Sequence, residues 1–102
     1  MIQPPGDERR FGGRRPFAER VMVVRGHDAW FAEALDLSEN GCAIVRPEAC
    51  DLLDEELVRL FFYDGLDKPA VVVPARVARA GDARIGFEYH GPQTVPPSRP
   101  AR

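Results

Sequence analysis

The sequence predicts an all-β fold, a small six-stranded antiparallel β-barrel, and three observations carry the prediction. Apolar residues recur with a period of two through most of residues 19–90, as in strands with one buried face. Turn signals, among them Gly26, Asn40-Gly41, Asp64-Gly65 and Gly81-Asp82, separate these runs at short intervals. The chain has 102 residues, too few for a large sandwich, and closing a short sheet on itself removes its exposed edges.

The elements follow in order. Residues 1–8 hold no periodic apolar pattern and are expected to be a flexible N-terminus. Glu19 to Arg25 reads as the first strand, closed by Gly26. Ala29 to Leu37 reads as the second, with Phe31, Leu35 and Leu37 on one face; Trp30 and Phe31 are adjacent, so one of them points outward. Asn40-Gly41 follows, a pair that tolerates positive φ and so suits a sharp turn. Cys42 to Val45 makes the third strand, stopped by Pro47, and Leu57 to Tyr63 the fourth. Only Glu48 to Glu56 between them could hold a helical turn, and its acids read as a solvated face. Val71 to Ala80 is the fifth strand; Pro74 lacks a donor, which predicts an open edge or a bulge there. Ile85, Phe87 and Tyr89 alternate with Gly86, Glu88 and His90 in the sixth. From Gly91 onward Pro92, Pro96, Pro97 and Pro100 crowd a segment with one large apolar residue, Val95. Such a composition predicts a disordered tail over 91–102, leaving 9–90 as the single domain.

Charge and motif content exclude several functions. Residues 1–25 sum to +3, residues 26–67 to −9 and residues 68–102 to +4, for a net −2. The acidic centre opposes a nucleic-acid surface, which needs positive charge over the domain. Thirteen of the 14 basic residues are arginine, so the N-terminal cluster of Arg9, Arg10, Arg14 and Arg15 consists of planar, bidentate donors. Cys42 and Cys50 match no zinc spacing and read as small buried residues. No nucleophile elbow, phosphate-cradling loop or metal-binding helix motif occurs, so the expectation is a non-enzyme with no metal and no cofactor. No apolar run approaches the ~20 residues of a membrane span, and the N-terminus lacks the layout of a secretory signal. A cytoplasmic protein is expected.

Two motifs remain. Asp36-Leu37-Ser38-Glu39-Asn40-Gly41 ends the second strand; alternation puts Asp36 and Ser38 on the outer face, a carboxylate beside a hydroxyl just before a turn. An Asp/Asn-x-Ser-x-x-Gly match arises in only roughly 1–2% of shuffled sequences of this composition. The two side chains could equally bond the turn backbone. Upstream, Arg10-Phe11-Gly12-Gly13-Arg14 pairs two arginines at i and i+4.

Together these residues resemble the PilZ domain family, bacterial receptors for cyclic di-GMP. That family carries an Arg-x-x-x-Arg motif in an N-terminal loop and an Asp/Asn-x-Ser-x-x-Gly motif on a barrel strand; Arg84-Ile85-Gly86-Phe87-Glu88-Tyr89 looks like its last strand. The resemblance implies that the loop and the outer barrel face hold the nucleotide. Arg10 and Arg14 would donate to phosphate oxygens and to guanine O6 and N7. Asp36 would accept from the guanine N1–H and N2–H2 edge, Ser38 would donate to a phosphate, and Gly41 would allow close approach. Arg9 occupies a position that the family uses to choose between one ligand and an intercalated pair, and an arginine there points to a pair. The expected function is a cyclic di-GMP receptor that orders residues 7–15 on binding and signals through an effector protein. The alternatives are a PilZ-like adaptor that binds no nucleotide, and a small barrel for single-stranded nucleic acid.

Overall fold

The computed structural model describes residues 19–63 and 69–98. Six strands form, β1 (Glu19–Arg25), β2 (Asp28–Leu37), β3 (Gly41–Val45), β4 (Leu57–Phe62), β5 (Val71–Ala80) and β6 (Arg84–Tyr89). They close into an antiparallel barrel in the order β1-β2-β3-β6-β5-β4, with β1 hydrogen-bonded to β4 at the seam. The predicted six-stranded barrel is the observed one, and each expected strand lies within one residue of its place at either end.

Alternation builds the core. Val21 and Val23 of β1, Cys42 and Ile44 of β3, and Val58, Leu60 and Phe62 of β4 point inward. Val73, Ala75 and Val77 of β5 join them with Ile85, Phe87 and Tyr89 of β6. The Phe62 and Tyr89 rings meet edge to face at 6.3 Å. Both cysteines are buried and free.

In β2 the simple alternation fails. Ala34 pairs with Ile44 but Asp36 pairs with the next residue, Ala43, so Leu35 is an inserted bulge residue. Before it, Ala34 is buried and Trp30 and Ala32 pack on the core; after it, Leu37 packs inward. Phe31 therefore does not share the inner face with Leu37, and it is 61% exposed. A one-residue insertion switches which face the following side chains take.

Pro74 brings no bulge and no open edge. It pairs with Arg59 of β4, and its carbonyl accepts from His90 N on the β6 side. A strand residue's N and C=O point to the same side, so the missing donor falls at the end of the β6 ladder, where the chain is already leaving the sheet. The β5 irregularity sits instead between Val77 and Arg79.

The Glu48–Glu56 stretch forms no helix. Ala49 and Glu55 take left-handed φ of 59° and 75°, which breaks each single turn, and Cys50 and Leu52 enter the core. Four of its five acids, Asp51, Asp54, Glu55 and Glu56, have specific partners, while Glu48 is left to solvent. Arg25 donates to Asp28 (2.6 Å), Asp51 (2.9 Å) and Glu56 (3.2 Å), and Asp54 Oδ1 accepts from Ala80 N at 2.8 Å. Asp28 above all, then Asp51 and Glu56, push the Arg25 pKa above the ordinary arginine value.

Residues 91–98 follow β6 and touch the barrel at two points. Gln93 N donates to Glu39 O at 2.8 Å and Pro97 is buried.

Candidate functional site

Asp36 emerges on the outer face of β2 one residue past the bulge, its side chain 71% exposed. Its Oδ2 accepts from Arg84 Nη2 of β6 at 2.9 Å. Ser38 is committed to the β2–β3 turn, donating through Oγ to Gly41 O (3.1 Å) and accepting from the Asn40 and Gly41 amides (3.3 and 3.2 Å). The turn-bonding alternative thus describes Ser38 as it stands, while Asp36 spans to another strand.

Gly41 has a structural reason of its own. Neither it nor Asn40 adopts positive φ. Instead a Cβ at Gly41 would lie 2.1 Å from the Phe87 carbonyl oxygen on β6. The position is glycine because the two strands approach there.

These residues surround one shallow depression. A cavity of about 330 Å3 is lined by Asp36, Ser38, Asn40 and Gly41, together with Ala43 and Glu88. Its floor carries little side chain, since Gly41 and Ala43 of β3 face outward here and Gly86 lies beside Ala43. Both carboxylates at its rim are paired, Asp36 with Arg84 and Glu88 with Arg76, which also holds Glu55 at 3.1 Å. Pairing lowers the repulsion an approaching anion would meet.

A larger cavity, about 620 Å3, lies at the opposite end between Arg46, Leu52, Leu53, Asp54, Ala80 and Asp82. Arg46 and Asp54 among its polar side chains are already committed. Arg46 donates to Gly81 O and Cys50 O, and Asp54 holds the Ala80 amide.

Arg9, Arg10 and Arg14 lie outside the described residues, so the site is described on its barrel side only. Arg76, Arg84 and Glu88 were not singled out by sequence as site residues. The outward alternation of β6 exposes Arg84 and Glu88, yet their nearness to Asp36 and Gly41 depends on β3 lying between β2 and β6.

A family model for the PilZ domain matches residues 8–97. The chain belongs to the PilZ domain family. No curated protein matches it. The match takes in both motifs and all six strands and runs on through residues 91–97. PilZ domains are a family of cyclic di-GMP receptors, binding and adaptor modules rather than enzymes. Among the described residues of this PilZ domain, no helix is long and apolar enough to cross a membrane.

Proposed function

We propose that this PilZ domain is a cyclic di-GMP receptor whose N-terminal arginines close over the β2–β3 depression and whose liganded surface is read by an effector protein. Beyond membership of the family, one observation carries the reading. Glu19 pairs with Ala34, two residues before Asp36, so the segment bearing the arginines joins the barrel beside the depression. Arg14 is five residues from Glu19 and Arg10 nine, extended reaches of up to roughly 17 and 30 Å. Both spans cover the ~7 Å from Ala34 to Asp36 along a strand.

The chemistry suits a dianionic purine dinucleotide. Arg10 and Arg14 offer forked donors for phosphate or for guanine O6 and N7, with Arg9 beside them. Asp36 accepts from the guanine N1–H and N2–H2 groups. Ser38 turns its hydroxyl from Gly41 O toward a phosphate, and the floor at Gly41 admits a flat ring. Ordering residues 7–15 changes the surface that a partner meets.

Calorimetric titration with cyclic di-GMP, with GMP and a short oligonucleotide as controls, tests the reading. Arg10→Ala, Arg14→Ala and Asp36→Ala are expected to abolish binding. The unliganded melting temperature should hardly move in Asp36→Ala, because exposed ion pairs contribute little. Limited proteolysis checks the ordering step: cleavage within residues 1–15 should slow once ligand is added. Equal cleavage rates with and without ligand would remove it.

A further inference from the structure

The contact between Asp36 and Arg84 joins residues 48 positions apart, across the width of β3. It is a one-point contact. Arg84 uses Nη2 alone and Asp36 accepts through Oδ2 alone; among the described residues, Nη1 and Nε of Arg84 and Oδ1 of Asp36 have no partner. The side chains are 55% and 71% exposed, so the pair contributes little to folding. What it does fix is the placement of a carboxylate with a cationic donor immediately at its side.

That order of groups has a chemical complement. Along its Watson–Crick edge guanine presents the 2-amino donor, the N1–H donor and the O6 acceptor in sequence. A carboxylate satisfies the first two and an adjacent guanidinium the third. Adenine presents an acceptor at N1, a donor at N6 and no polar group at C2, so it would leave Asp36 facing a lone pair and Arg84 facing an amino group. Unpaired or opposed polar groups are what make such discrimination large.

We propose that Arg84 is a specificity-determining residue of the site, donating to guanine O6 while Asp36, held in place by the same guanidinium, accepts from N1–H and N2–H2. The proposal rests on the reading that a guanine dinucleotide occupies the β2–β3 depression, and it assigns that reading a donor outside both sequence motifs. Retaining the Nη2 bond to Oδ2 while Nη1 or Nε turns to the base leaves the ion pair intact on binding.

The test is calorimetry on the full chain with cyclic di-GMP, with cyclic di-IMP, which lacks the 2-amino group, and with cyclic di-AMP. The proteins compared are wild type, Arg84→Ala and Arg84→Gln, the last keeping a neutral donor. Arg84→Ala is expected to weaken cyclic di-GMP and cyclic di-IMP about tenfold or more. Cyclic di-AMP should change far less, so the preference for the guanine ligand narrows by a similar factor. Arg84→Gln should recover part of it. Melting temperatures of the unliganded variants check that each folds. An equal loss on all three ligands would assign Arg84 to the phosphates and overturn the proposal, as would no loss at all. A wild-type protein that binds none of the three removes the underlying reading, and the proposal falls with it.

Discussion

Gly41 and Cys42, neighbours in β3, each carry a constraint that a substitution would expose. A Cβ on Gly41 would sit 2.1 Å from a backbone oxygen of β6, and backbone cannot rotate aside. Gly41→Ala should therefore cost about 3 kcal/mol in chemical denaturation. Burial pushes the Cys42 thiol from its usual 9.0 up to about 12, the nearby Tyr89 hydroxyl lowering it slightly. Tyr89 is raised too, by burial first and then by Cys42. A thiol that holds its proton more tightly when folded stabilises fully below the unfolded pKa. That contribution fades as pH climbs from about 9 towards 12. Thermal melts across this window should show falling stability, with a shallower fall in Cys42→Ala. The glycine was legible in sequence but its reason was not. Asn40-Gly41 looked like a pair needing left-handed backbone, whereas the determining atom belongs to Phe87, 46 positions away.

At the scale of elements, the Leu35 bulge decides which side of β2 is buried. Because Phe31 lies outward, Phe31→Thr should shift unfolding free energy by no more than about 0.5 kcal/mol. Ala34→Asp, which puts an unpaired carboxylate at a buried position, should cost several times as much. A denaturant series on the two variants checks the phase directly. The acidic connection makes a different prediction. Arg25 gathers Asp28, Asp51 and Glu56 while its guanidinium lies 5.2 Å from the Trp30 ring centroid. Arg25→Ala should lower the melting temperature, and added salt should shrink the difference because exposed charges are screened. Strand positions were readable from alternation and turn residues throughout. The bulge was not, since Phe31, Leu35 and Leu37 are all apolar at alternate positions and nothing local marks a change of phase. Nor was the pairing of the acidic stretch, whose partners Arg25 and Ala80 lie on other strands.

The whole molecule separates its stable part from its candidate site. The core is a continuous apolar interior to which β1 and β3–β6 supply alternate buried residues, while the polar groups around the depression lie on the outside. Leu60→Ala, at a fully buried position, should lower stability by about 3 kcal/mol. At temperatures where that variant remains folded, its affinity for cyclic di-GMP should match wild type, which paired melts and titrations would establish. Barrel closure and the two motifs could be anticipated from sequence; the strand order that brings Arg84 beside Asp36 could not, because it depends on which hairpins meet across the seam. The seam has its own significance for any protein that listens to this domain. With β1 bonded to β4, each of the six strands has a neighbour on both sides along part of its length, and a margin is left at residues 28–33 of β2, which pair with β1 but not with β3; a visiting chain that added itself as a strand would find room there. Elsewhere on the barrel a partner of this domain would have to meet side chains and loops rather than strand edges.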